Sequence, residues 1–480
     1  MRARIIIRYI GTSLILVALM MAISGIVAVF NDFDASATPL LFSAFITFIT
    51  GAYPMIFVRP EPNVSTKEGI VIVVLSWIAC CIFGMIPYIC YGEEFTVVNA
   101  LFESVSGFTT TGASILTDIE SLPAGLLFWR SSTAWVGGLG IVSIFSLIIP
   151  KKMDDRSILS NAELSDLTRS QSSRTGKSFI KTMLTVYLIL TSTCAISLKL
   201  AGMGWFDAVT NAMSTCSTCG FCVKNESIGA YGSMVVEAII IIYMTLCGIS
   251  FMHIATASSR HGKHRMSAAT KGFVLFLVFS IIATATSLIV EDNEPVLQAL
   301  RKASFQMASI TTTTGFATAD TTQWPAISIM LLIVASIICG CSGSTSGGMK
   351  VDRVVLLLSY IRHGIKKSTN PHRMNQAAVD GKVISDDAAI DAMKYALLYI
   401  FTIMIGSVIN TMAGLDLETG ITASIACLGN VGPGFGTVGS MGNYADFPAG
   451  LKLSSSLLMI AGRLEIVPLL SFAGLIGGKH

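Results

Sequence analysis

What this sequence has least of is charge. Only 13% of its 480 residues are Asp, Glu, Lys or Arg, about half the share of an ordinary soluble domain. With 52% hydrophobic residues and a mean hydropathy of +0.70, a water-soluble globule is excluded. Also missing is any polar stretch long enough for a catalytic domain; the longest, 150–177 and 362–390, have room only for docking surfaces. The eleven cysteines lie mostly inside apolar segments, where a thiol behaves as a small hydrophobe, so no secreted disulfide framework is present. The net charge of +3 is spread over loops and leaves no nucleic-acid footprint.

Apolar length is abundant instead. Runs able to cross about 30 Å of hydrocarbon as helices occupy 5–30, 38–58, 69–90, 124–149, 179–201, 233–257, 271–290, 325–359, 392–413 and 450–475, ten in all. The chain is therefore an integral membrane protein. Its first run follows Arg2, Arg4 and Arg8 as a signal peptide would, but it is too long and lacks a small-residue cleavage site, so it is expected to remain as a span. Basic clusters at Lys151/Lys152, Arg169/Arg174/Lys177, Arg260/Lys263/Arg265 and Arg362/Lys366/Lys367 alternate with acidic loops at Asp32/Asp34, Glu93/Glu94, Glu291/Asp292/Glu294 and Asp416/Glu418. The positive-inside rule then puts the basic loops and both termini in the cytoplasm.

Four Ser/Thr/Gly-rich stretches interrupt the apolar sequence: FTTTGAS at 108–114, STCGFC at 217–222, TTTTGFAT at 311–318 and NVGPGFG at 430–436. Each ends a short helical piece, VVNALFESVSGFTTTG, WFDAVTNAMSTCSTCG, VLQALRKASFQMASITTTTG or LETGITASIACLGNVG. At about 1.5 Å per residue such a piece reaches only partway across the bilayer, and its carbonyl end is the negative pole of its dipole. Helix, short helix, loop, helix recurs over 68–150, 178–258, 270–362 and 391–477. The expected fold is an all-α polytopic membrane protein with ten transmembrane helices. Two lie in residues 1–67, and four repeats, bounded with their loops at 68–177, 178–269, 270–390 and 391–480, surround a pore with pseudo-fourfold symmetry.

Irregular backbone is tolerated at membrane depth only when it is buried in protein or lines a water-filled cavity. Rings of backbone carbonyls can recoordinate a cation that has shed its water, and glycine lets the chain take φ > 0 to turn them. Gly112, Gly220, Gly315 and Gly432 hold that place, one per repeat, after Thr111, Cys219, Thr314 and Val431 and, one residue earlier, Thr110, Thr218, Thr313 and Asn430. Glycine and threonine also ease close helix packing; four equivalent copies favour a filter.

On these loops, on NVGPGFG and on GRLEIVPLL at 462–470, the chain resembles the TrkH-type subunits of bacterial Trk/Ktr/HKT potassium uptake systems, over essentially its whole length. The resemblance implies a potassium filter built from the twelve residues just named, with the carbonyls of Thr111, Gly112, Cys219, Gly220, Thr314, Gly315, Val431 and Gly432 on the ion. Cys219 stands where threonine is frequent and Ala113 where phenylalanine is frequent. It further implies a multi-pass protein of the bacterial inner membrane, a homodimer, and a TrkA-type cytosolic ring as partner. No cofactor is expected; potassium is the transported ion, and nucleotide (ATP/ADP or NAD) acts only through the ring.

A second interruption, GCSGSTSGGMKVDR at 340–353, breaks the run 325–359. Its spacing does not give G-x-x-x-x-G-K-[ST], so a nucleotide loop is excluded. It reads as a packing kink or, by the resemblance, as an intramembrane gate comprising Gly343, Ser344, Gly347, Gly348 and Lys350. Arg463, a charge in the middle of the last apolar run, is expected in the pore beneath the filter, or else paired with Glu465. Glu103 and Asp207 could carry protons in a potassium/proton symporter, although a structural bond is simpler, and His253 and Glu237 read as helix-packing residues. Cys216, Cys219 and Cys222 leave open a metal or redox site.

Overall fold

A computed structural model describes residues 2–59, 64–140, 176–257, 266–369 and 377–477. The basic clusters at 151–152 and 260–265 and Arg169 and Arg174 of the cluster between them fall outside these residues, as does the end of the fourth expected span.

Two N-terminal helices, Ala3–Phe30 and Ala37–Phe57, pack as a hairpin. Their crossing depends on glycine. A Cβ on Gly11 would stand 2.6 Å from the Gly51 carbonyl oxygen, and one on Gly51 would stand 2.7 Å from that of Gly11, so small residues let the backbones meet. Arg2 ties this pair to the third helix through a two-pronged bond to Glu68 at 3.0 and 2.8 Å. Glu68 also closes a capping box with Ser65 that starts Thr66–Gly84.

Four groups of helices follow. The first comprises Thr66–Gly84 with its continuation Ile86–Tyr91, short helix Val97–Phe108, and inner helix Ala124–Gly138. The second comprises Gly176–Leu200, Trp205–Ser217, and Met234–Gly248 followed by Phe251–Ala257. In the third, Ala268–Glu291 and Val296–Thr311 precede Ala326–Ile338 and Val351–Thr369. The fourth holds Asp386–Met412, Leu417–Gly429, and Ala449–Arg463 followed by Val467–Gly477. A small hairpin, Ala378–Val379 with Lys382–Val383, turns through Asp380 and Gly381, both at positive φ, as a two-residue hairpin requires.

Six described helices are long and apolar enough to cross a membrane, or eight if each bent pair counts as one span. Among the described residues, fewer helices pass this test than the ten spans expected. The difference lies in the inner helices. Met234–Gly248 meets Phe251–Ala257 at 102°, and Ala449–Arg463 meets the following helix at 106°. The run 325–359 is split by residues 339–350, and 124–149 is described only to residue 140. Hydropathy registers composition along a run, whereas the breaks lie where the backbone turns: Cys339, Glu465 and Ile466 all have positive φ.

Polarity is distributed opposite to that of a soluble globule. Phe42, Phe45, Phe48, Leu275, Phe279, Met404 and Ile405 are exposed, while Ser104, Thr111, Thr215, Thr314 and Ser424 are completely buried. Apolar surface facing lipid costs nothing, so the hydroxyls collect at the centre.

Candidate permeation pathway

The short helices end alike. The N–H of Thr111 bonds to Ser106 O at 2.9 Å, Cys219 to Ser214 O at 3.0 Å, Thr314 to Ser309 O at 2.8 Å and Val431 to Ala426 O at 2.9 Å. Each bond closes the helix over a residue in the left-handed region: Thr110 at φ 57°, Thr218 at 55°, Thr313 at 59° and Asn430 at 53°. Two residues on, Gly112, Gly220, Gly315 and Gly432 have φ of 78°, 82°, 79° and 95°. Four dissimilar sequences thus share one backbone path.

The glycines also point at one another's loops in cyclic order. A Cβ on Gly112 would stand 1.8 Å from Cys219 O; on Gly220, 2.1 Å from Thr314 O; on Gly315, 2.3 Å from Val431 O; on Gly432, 2.5 Å from Thr111 O. First loop meets second, second meets third, third meets fourth, and fourth returns to the first. The twelve residues singled out in the sequence are therefore brought together, and any side chain at the glycines would intrude on a carbonyl of the next loop. Asn430 braces the closure by donating from Nδ2 to Thr111 Oγ1 at 3.0 Å and to Met459 O at 2.9 Å. Behind the ring, the Tyr444 hydroxyl donates to Gly432 O at 3.0 Å.

Cavities lie on both sides. One of about 120 Å³ is lined by all four glycines together with Arg130 and Tyr444. Another, of about 60 Å³, is lined by Ser344, Gly347, Lys350, Arg463 and Glu465 among others. Both exceed the roughly 10–15 Å³ needed for one water, so the ring has a space large enough for water on either side. At the outer rim, Lys224 pairs with Glu120 at 2.8 Å and holds that carboxyl below its ordinary range.

The segment 339–350 lies between the ring and the inner cavity. Gly347 N donates to Thr313 Oγ1 at 3.1 Å, one position from the glycine ring's third carbonyl. Thr345 Oγ1 bonds to Cys216 O at 3.1 Å and to Cys247 O at 3.3 Å. Gly347 is seated so closely that a Cβ would stand 2.5 Å from Gly429 O. Gly343 and Gly348 have φ of 78° and 73°, and Lys350 has 72°. Ser344 Oγ bonds to Ser346 Oγ at 2.6 Å.

Arg463 ends its helix at the break, not mid-helix as the sequence suggested, because the apolar run continues through a bend that hydropathy does not register. It donates to Thr345 O at 2.8 Å and to Gly137 O and Gly138 O at 2.7 and 2.8 Å. One guanidinium thus holds the segment against the carbonyl end of the first inner helix. Glu465 instead receives Lys350 at 2.5 Å and Arg353, and Arg353 stacks 3.8 Å from the Tyr395 ring centre.

Glu103 and Asp207 are held in structural bonds, Glu103 to Arg130 at 2.8 Å and Asp207 to the Tyr231 hydroxyl at 2.9 Å. Glu237 pairs with Arg301 at 2.7 Å, and His253 is half-buried. Cys216, Cys219 and Cys222 are buried and unbridged, and Cys222 Sγ contacts Asn211 Oδ1 at 3.4 Å. Among the described residues no group of three or more His, Cys, Asp or Glu could hold a metal ion. The sequence reading missed Arg130 and Arg353; a lone arginine inside the run 124–149 was the available signal for the first.

A family model described as TrkH, cation transport protein, matches residues 40–476. The Trk system potassium uptake protein TrkH of Halomonas elongata is 33% identical over 476 residues, covering 97% of each chain. Its Escherichia coli K12 counterpart is 30% identical over 482 residues, covering 98% of each. The crystal structure of the potassium transporter TrkH from Vibrio parahaemolyticus superposes with a TM-score of 0.87 at 27% identity, covering 98% of both chains.

Proposed function

Because this chain belongs to the TrkH family of cation transport proteins, we propose that its four loops form the selectivity filter of a pseudo-fourfold potassium pore. The protein takes up potassium through a membrane and is not an enzyme. The observation that carries the filter assignment is the closed cycle of four glycines, each facing the carbonyl before the next. Main-chain oxygens replace the hydration shell of the ion, so discrimination rests on the spacing of the loops. The substitution of Cys219 for the frequent threonine leaves its carbonyl in place.

Segment 339–350 is the gate, with Gly343, Ser344, Gly347, Gly348 and Lys350 in it and Arg463 holding it shut. Helix Val351–Thr369 continues directly from it and carries Arg362, Lys366 and Lys367 on its exposed end. A TrkA-type ring docked there would pull on the gate through one rigid element and bring ATP/ADP or NAD control to it. Family resemblance points to a homodimer in the bacterial inner membrane, and the alternation of basic and acidic loops supports an orientation with both termini in the cytoplasm. Arg463→Ala removes three bonds to backbone carbonyls and is expected to increase flux severalfold at equal protein level. Loss of folded protein would instead mark Arg463 as a structural brace.

The potential alone can drive uptake. One charge gains about 2.3 kcal/mol per 100 mV, so about 150 mV supports roughly a 300-fold gradient at about 1.4 kcal/mol per tenfold. Purified protein in liposomes with a negative interior should take up potassium in preference to sodium, at a rate that follows voltage. Uptake that follows a pH gradient at clamped voltage would overturn the channel reading in favour of symport.

A further inference from the structure

One quarter of the ring is backed by charge. Glu103, on Val97–Phe108, is fully buried and receives Arg130 from the adjacent inner helix at 2.8 Å, the arginine side chain being 2% exposed. The carboxylate reaches the chain just beyond Gly112, accepting from Ser114 Oγ at 3.0 Å and Ile115 N at 3.1 Å. The guanidinium reaches the second loop just beyond Gly220: NH1 donates to Cys222 O at 3.3 Å, and the group lies 4.1 Å from the Phe221 ring centre. A second nitrogen donates to Ser114 Oγ at 3.2 Å.

Neutral groups do this work elsewhere. In the third group Ser309 Oγ donates to Phe316 O at 2.7 Å and Gln306 Nε2 to Ala319 O at 2.7 Å. In the fourth, Thr422 Oγ1 accepts from Phe435 N at 2.9 Å. In the second, Asn211 meets Cys222 Sγ at 3.4 Å. Among the described residues, the pair behind the first and second loops is the charged exception.

Taking two charges out of water offsets most of their attraction, so such a pair adds little net stability. What it supplies is geometry: a planar fork with fixed donor directions, which lysine cannot reproduce. Resting on the filter assignment above, we infer that Arg130 and Glu103 are positioning residues that set the separation of the first and second filter loops and thereby the potassium-over-sodium ratio. Arg130 also lines the cavity above the glycines, but neither residue supplies an oxygen to the ring; they act on it through Ser114, Ile115, Phe221 and Cys222.

The test uses the full-length protein in liposomes, with potassium/sodium permeability ratios from bi-ionic potentials and thermal unfolding as a control. Arg130→Lys, which keeps the charge and loses the fork, should lower the ratio about tenfold, equivalent to about 1.4 kcal/mol, while potassium still passes. A wild-type ratio in Arg130→Lys overturns the inference. Should that variant fail to fold, Ser114→Ala removes the shared hydroxyl without touching either charge, and an unchanged ratio there overturns it equally. Gly315→Ser is measured alongside. If it alone lowers the ratio, the positioning role fails and the filter stands; if neither variant does, the filter assignment itself fails.

Discussion

Serine at position 315 is expected to cut discrimination between potassium and sodium roughly five- to hundredfold. Gly315 has φ 79°, where a side chain crowds its own backbone. Its Cβ would also lie 2.3 Å from Val431 O and 2.9 Å from Pro433 Cδ, distances that force one of the two loops to move. Strain of that kind costs about 1–3 kcal/mol, which at 1.4 kcal/mol per tenfold gives the range stated. Sodium, being smaller, tolerates a ring of altered diameter that no longer replaces the hydration of potassium. Bi-ionic potentials across reconstituted membranes measure the ratio directly. An unchanged ratio would remove Gly315 from the filter.

Deleting part of 342–348 is expected to raise basal flux at least about tenfold. This segment is held in place through Gly347 on Thr313 Oγ1, Thr345 on the carbonyls of Cys216 and Cys247, and Arg463 on Thr345 O. Each such bond contributes about 0.5–1.5 kcal/mol net, so losing several shifts a closed-to-open balance by one or more powers of ten. Gly347→Ala is the gentler form. With Gly429 O only 2.5 Å from its Cβ, the alanine variant cannot seat fully and should raise flux in the same direction. Tracer rubidium uptake without any partner protein reads the effect. Wild-type flux in both variants would mean that the segment is not a gate.

Much of the site was legible because its chemistry is backbone chemistry. Glycine at 112, 220, 315 and 432 is conspicuous in any sequence, and all four adopt the positive φ that only glycine takes cheaply. The Gly/Ser run at 340–348 was visible for the same reason. Arg463 was also visible, as a charge in an apolar run, but its partners were not. The alternative pairing with Glu465 gave way to carbonyls from residues 137, 138 and 345, while Glu465 went to Lys350 and Arg353. Contacts across more than a hundred residues leave no local pattern to read. The bends of 102° and 106° were invisible too, since a bent pair and a straight helix have the same composition.

By itself, the sequence determined that this chain lives in lipid and that four short helices end in glycine-bearing loops, because burial against hydrocarbon and left-handed backbone are local demands written in residue type. Only the tertiary structure decided that the four loops meet in cyclic order, that the third inner helix folds a segment beneath them, and that one buried ion pair braces a single seam of the ring. Those are relations between segments distant in the chain. They depend on how helices pack, and packing is set by all the side chains at once.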